Sequence, residues 1–282
     1  MNLFVEIIKF FVYSMCIVLI SKYALVKILR KMGELLDLKP KIVGNIAGIA
    51  TSIPELLTVS FSAFTGLMTA SIYNIISSNI INLIQYSISV VLQKNRRFIS
   101  NKAIKLDLFI VVLTIIIPIS MTFFNIENNI VLIPIFILLL LIFNRITNNA
   151  HRLYMNKKTE DAEKVESIHG NVKNSKLKKV LSVIGQAILL IFVGIILYVI
   201  GNLLSDVLTN LCVRFNMPQI VIGILLGFIT SIPELITFFE AQKYHGNEKE
   251  GIVEATSNLL TSNIMNLCII QSVGILIYNI FR

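Results

Sequence analysis

The chain has no tryptophan, only three cysteines and three histidines among 282 residues, and charged residues make up just 15%. Each shortage excludes something. Cys16, Cys212 and Cys268 lie in or beside apolar stretches at no metal-ligand spacing, so they read as small buried hydrophobes and not as a zinc or disulfide framework. Membrane-interface anchoring falls to Tyr, Phe, Lys and Arg. No Ser/His/Asp set or aspartyl-dyad motif is present, which leaves little for a membrane hydrolase. A removable leader is not expected either, because the first apolar stretch is too long and has no small-residue cleavage site.

What is abundant is apolar sequence. Hydrophobic residues make up 55% of the chain and the mean hydropathy is +0.80. Eight stretches approach or exceed the ~20 apolar residues that cross a bilayer: about 2–29, 41–65, 69–93, 104–124, 128–147, 179–208, 216–243 and 250–280. The expected fold class is an all-α polytopic membrane protein.

The net charge of +9 does not point to a nucleic acid, because of where the charges fall. Lys27, Arg30, Lys31, Lys39 and Lys41 join spans one and two, and Lys94, Arg96, Arg97, Lys102 and Lys105 join three and four. The link between spans five and six, 148–178, is also rich in Lys and Arg. The alternate links carry almost none: Gly66–Thr69 has no basic residue and the sixth link only Arg214. Basic loops stay in the cytoplasm. The expected topology has the N-terminus outside and the 148–178 linker inside, in the plasma membrane, with the bilayer and no nucleic acid as partner.

The hexapeptide Thr-Ser-Ile-Pro-Glu-Leu occurs twice, at Thr51–Leu56 and Thr230–Leu235. Aligning 44–58 with 223–237 also matches Gly44 with Gly223, Gly48 with Gly227 and Thr58 with Thr237. A second block follows each copy: Asn74 to Leu83 in one half and Asn258 to Leu267 in the other, sharing Ser78/Ser262, Asn79/Asn263 and Asn82/Asn266. The chain is internally duplicated, with a first membrane half over 1–147, the linker at 148–178 and a second half over 179–282. Five spans run from the second through the sixth, so the copies enter the membrane from opposite sides. That is the inverted-repeat arrangement in which transporters build a midplane site.

A carboxylate at membrane depth is expensive and marks function, and here Glu55 and Glu234 form a matched pair. Pro54 and Pro233 break the helix hydrogen bonding beside them, leaving carbonyls that either a cation or the Ser and Thr hydroxyls can satisfy. Thr51, Ser52, Thr230 and Ser231 stand one turn before the glutamates. Ser78 and Asn82, like Ser262 and Asn266, are four apart and share a helix face. Asn79 and Asn263 point elsewhere and suit helix–helix hydrogen bonding. Every donor in this set is oxygen, which suits Ca2+ or Na+ and not zinc or copper. The GxxxG spacings at Gly44/Gly48 and Gly223/Gly227 read as close-packing surfaces. Glu240, His245 and Glu254 are expected near the inner ends of spans seven and eight, and Asp206 and Glu6 at solvated helix ends.

These paired blocks resemble the alpha repeats of the calcium/cation antiporter superfamily, in particular its sodium/calcium exchanger branch. The resemblance covers about 43–83 and 222–267. It implies an antiporter, not an enzyme, with no cofactor and with Ca2+ and Na+ as transported ions. Glu55 and Glu234 would be the central ligands, Asn82 and Asn266 would sit between them, and Thr51, Ser52, Ser78, Thr230, Ser231 and Ser262 would complete the ion sites. It also implies alternating access by sliding of helices one and six. The family glycines before Thr-Ser and Ser-Asn are here Ala50, Ile229, Ser77 and Thr261. Asn266 disfavours potassium dependence, and the Thr-Ser-x-Pro-Glu pattern favours sodium over protons. The family typically has ten helices and this chain has room for eight, which raises completion by self-association. A proton-coupled or other divalent-cation exchanger and a non-transporting cation-binding membrane protein stay open as alternatives.

Overall fold

The computed structural model describes residues 3–20, 23–24, 27–28, 31, 38–154, 172–246 and 248–281, without the side chains at 172–181, 183 and 187. These residues form eleven α-helices: α1 (Leu3–Ile20), α2 (Pro40–Thr51), α3 (Ile53–Phe64), α4 (Met68–Leu92), α5 (Lys102–Phe123), α6 (Leu132–Tyr154), α7 (Val172–Thr209), α8 (Gln219–Thr230), α9 (Ile232–Tyr244), α10 (Lys249–Ile264) and α11 (Gln271–Phe281). No strand occurs among the described residues. Eight spans among them are long and apolar enough to cross a membrane. Three of these are composite: α2 with α3, α8 with α9, and α10 with α11 through a π-helical segment at Met265–Ile270.

The two Thr-Ser-Ile-Pro-Glu motifs make the first two breaks. The chain leaves α2 at Ser52 and re-enters a helix at Ile53, with Pro54 in the first turn of α3. There the ring's fixed φ is compatible with a helix start and its missing N–H costs nothing. Ser231 and Pro233 repeat the break between α8 and α9. Tight links end the helices elsewhere. After α3, Leu67 N–H bonds Ser62 O at 2.8 Å and Gly66 N–H bonds Ala63 O at 3.0 Å, with Gly66 at φ +79°. This is a Schellman end that needs a residue free to turn left-handed.

The halves interlock. α2 of the first half packs along α10 of the second, and α8 of the second along α4 of the first. The repeated glycines make this approach close. A Cβ on Gly48 would lie 2.6 Å from Asn258 O, and one on Gly223 2.5 Å from Ala70 O. Small residues here let two backbones touch without lipid between them. α5 covers α10, while α1 packs on α7 in a separate apolar cluster that includes Phe10, Ile17, Leu197, Leu204 and Leu208. The linker expected at 148–178 falls largely at 155–171, outside the described residues; 148–154 end α6 and 172–178 open α7.

Candidate cation site

All ten oxygen-bearing residues singled out by the repeat are buried, none more than 1% exposed. Breaking each helix at Ser52 or Ser231 places Glu55 and Glu234 in the first turn of a new helix. Helix N-termini carry partial positive charge, which offsets part of the cost of a buried carboxylate.

The contacts obey the two-fold relation of the sequence. Ser78 Oγ donates to Glu55 Oε1 at 2.8 Å, and Ser262 Oγ donates to Glu234 Oε1 at 3.1 Å. The serine of the opposite motif meets each of these hydroxyls: Ser231 Oγ lies 2.9 Å from Ser78 Oγ, and Ser52 Oγ donates to Ser262 Oγ at 3.0 Å. The amides cross in the same way. Asn82 Nδ2 reaches Ser262 Oγ at 3.3 Å and Asn263 Oδ1 at 3.1 Å; Asn266 Nδ2 reaches Ser78 Oγ at 3.4 Å and Asn79 Oδ1 at 2.9 Å. Both carboxylates therefore belong to one connected cluster.

This orientation has a chemical consequence. Because the amide nitrogens of Asn82 and Asn266 are used as donors, their oxygens turn free. Glu55 Oε2, Glu234 Oε2, Asn82 Oδ1 and Asn266 Oδ1 are all buried without a hydrogen-bond partner. An unsatisfied buried polar atom costs ~1–3 kcal/mol. These four, in two symmetry-matched pairs within one cluster, are of the oxygen type that a hard cation takes. Among the described residues no three His, Cys, Asp or Glu side chains group as a metal centre. The set is two carboxylates with neutral oxygens.

The remaining residues support this core. Thr230 stands beside the Glu55 carboxylate and Thr51 beside that of Glu234, while their hydroxyls donate to Leu226 O at 3.0 Å and Gly48 O at 3.3 Å. Ser52 Oγ also lies 2.8 Å from Gly48 O, an alternative acceptor for the same proton. These hydroxyls bond back to carbonyls of their own helices ahead of the breaks. Asn79 and Asn263 tie the halves together, Asn263 Nδ2 donating to Asn79 O at 3.2 Å. Below each glutamate, Asn74 and Asn258 donate to Thr58 and Thr237, each at 2.6 Å.

Two features depart from or add to the sequence reading. Glu6, expected at a solvated end, is fully buried, paired with Lys9 Nζ at 3.0 Å and accepting from Asn210 Nδ2 at 3.3 Å; α7 and its π-helical end close over it. A pair that sequence reasoning passed over also appears, His151 Nε2 lying 2.6 Å from Asp107 Oδ2 between α5 and α6. A lone aspartate in an apolar run was its only signal. Its partner lies 44 positions away and no spacing rule connects them. His245 pairs with Glu254 at 2.9 Å at the end of α9, away from the cluster.

An all-helical bundle of interlocked inverted repeats, with a buried oxygen-only cluster where they cross, defines a polytopic membrane protein of the cation-exchanger class. The family model described as "Sodium/calcium exchanger protein" matches residues 7–149 and 185–281, and the chain belongs to that family. It is an integral multi-pass membrane protein. A search of curated proteins finds no match. Among solved structures, it is similar to the sodium-calcium exchanger NCX_Mj soaked with 10 mM Na+ and zero Ca2+, at 20% identity and TM-score 0.53, covering 97% of this chain and 83% of that one. The same exchanger soaked with 100 mM Na+ and 10 mM Sr2+ gives 21% identity, TM-score 0.53 and coverage of 97% and 82%. The H+/Ca2+ exchanger CAX gives 15% identity and TM-score 0.60 over 96% of this chain and 69% of that one. At these identities the likeness concerns the fold.

Proposed function

We propose that the protein is a secondary antiporter that exchanges Ca2+ for Na+ by alternating access at the Glu55/Glu234 cluster. The observation that carries this reading is the matched set of four partnerless oxygens on Glu55, Glu234, Asn82 and Asn266. Two carboxylates neutralise one Ca2+. Alternatively they hold two Na+, with the hydroxyls of Thr51, Ser52, Ser78, Thr230, Ser231 and Ser262 supplying neutral oxygens. A charge-limited cluster cannot hold both loads at once, and that competition is what couples the two fluxes. In this reading the N-terminus lies outside the cell and the link after α6 inside, which the distribution of basic residues among the links supports. α1 and α7 meet each other and the repeats through an apolar cluster, and they are the elements that would slide across the interlocked repeats. Sliding of that kind opens the cluster to one side and then to the other.

The coupling ion is tested in proteoliposomes. An outward-directed Na+ gradient is expected to drive radiolabelled Ca2+ uptake, and a proton gradient without Na+ is not. Uptake that follows only the proton gradient would replace sodium with protons in this account. No uptake under any gradient would favour a cation-binding protein that does not transport.

A further inference from the structure

Gln271 is 1% exposed, yet neither its amide nitrogen nor its amide oxygen has a hydrogen-bond partner. Nothing in the repeat accounts for it, since it lies beyond the second block in an otherwise apolar run. A buried amide with both ends unsatisfied is costly, and packing alone would be better served by leucine.

The helix geometry turns Gln271 toward the cluster. Asn266 and Gln271 are five residues apart. In an α-helix position i+5 lies about 140° round from i, which would point the two side chains apart. Here Met265–Ile270 is π-helical, and a turn whose hydrogen bonds run from i to i+5 brings those positions close to one face. The first-half counterpart of this span, α4, runs through Asn82 as an unbroken α-helix, so the π-turn belongs to the second half. π-turns within α-helices occur frequently at functional sites.

Packing fixes the level. Ile270 sits in a cluster with Val59, Ile75 and Leu56, and a Cβ on Gly274 would lie 2.9 Å from Val59 Cγ1. α11 thus runs along α3 with Gly274 beside Val59. Gln271, one turn nearer the midplane, falls level with Leu56 and Glu55.

We infer that Gln271 is a further cation ligand, its amide oxygen binding Ca2+ beside Glu55 as a neutral addition to the four oxygens of the symmetric core. Ca2+ takes six to eight oxygens, so the four of that core leave room for a further neutral oxygen such as the Gln271 amide. The inference rests on the exchange reading of the same site. It adds a neutral ligand to the site from outside the repeated blocks.

The test is radiolabelled Ca2+ binding to the purified full chain in detergent, with Na+ as competitor, on wild type, Glu55→Gln, Gln271→Leu and Gln271→Asn. Gln271→Leu is expected to weaken Ca2+ binding by about tenfold while its melting temperature stays level or rises, because a buried unsatisfied amide is removed. Gln271→Asn, which keeps the amide but withdraws it by one methylene, is expected to weaken binding as well and serves if the leucine variant does not fold. If wild type binds Ca2+, Glu55→Gln does not, and both Gln271 variants bind like wild type, the inference is overturned and the Glu55/Glu234 reading stands. If wild type binds no Ca2+, both fall.

Discussion

Ser78 Oγ stands 2.8 Å from Glu55 Oε1 and 2.9 Å from Ser231 Oγ, so a single hydroxyl joins the carboxylate of one repeat to the motif of the other. Ser262 does the same between Glu234 and Ser52. Each serine keeps one carboxylate oxygen occupied and leaves the other facing the cluster.

Ser78→Ala and Ser262→Ala should therefore both weaken Ca2+ binding. Each removes a hydrogen bond to a buried carboxylate, a contribution of ~1.5–3 kcal/mol, or roughly 10- to 100-fold in apparent Ca2+ affinity. Titrating Ca2+ binding on the two variants checks this. If one substitution is silent and its mirror is not, the two-fold account of the site fails.

The glycines give a prediction about packing. A Cβ at Gly227 would meet Asn74 O at 2.6 Å and Ser78 N at 2.8 Å, whereas at Gly185 and Gly194 nothing lies within 4 Å. Gly227→Ala must push α8 off α4 and should cost ~1–3 kcal/mol, lowering the melting temperature in detergent and weakening ion binding through Ser78. Gly194→Ala should leave the fold and binding unharmed, with a small gain from helix propensity. Equal melting temperatures for the two variants would contradict the interlocked packing.

Asp107 and His151, 2.6 Å apart and both buried, tie α5 to α6 without touching the cluster. Removing one partner of such a buried pair costs ~3–5 kcal/mol, while replacing both with apolar residues is often far milder. His151→Leu alone should lower thermal stability sharply, and Asp107→Leu with His151→Leu should recover much of it. A double-mutant cycle on melting temperature checks the coupling. Additive losses would show that the pair carries no joint energy.

Much of the site was legible because duplication turns spacing into symmetry. A buried glutamate met once is an anomaly; met twice in Thr-Ser-Ile-Pro-Glu it defines a pair, and the second block then names Ser78, Asn82, Ser262 and Asn266. Proline placement likewise foretold the breaks at Ser52 and Ser231. What depends on three-dimensional contact was not legible. Glu6 lies near a chain end where solvation is the natural expectation, and only the close packing of α1 on α7 buries it. Asp107 and His151 are joined by a fold contact between neighbouring helices. Gln271 acquires meaning only through the π-turn, a hydrogen-bonding choice that hydrophobic patterning cannot reveal. The fifth span also shifted, from an expected 128–147 to Leu132–Tyr154. Asn125 at φ +55° and the turn through Asn129 delay its start, and a helix tolerates Asn144, Arg145 and Asn148 at a polar membrane face.

The most direct measurement of the central claim is Na+-gradient-driven uptake of radiolabelled Ca2+ into proteoliposomes bearing wild type, Glu55→Gln or Glu234→Gln. Each substitution keeps the side chain's size and removes one of the two charges that a Ca2+ requires. Uptake by wild type with loss to background in both variants is the predicted result. Wild-type rates in either variant would contradict the two-carboxylate site.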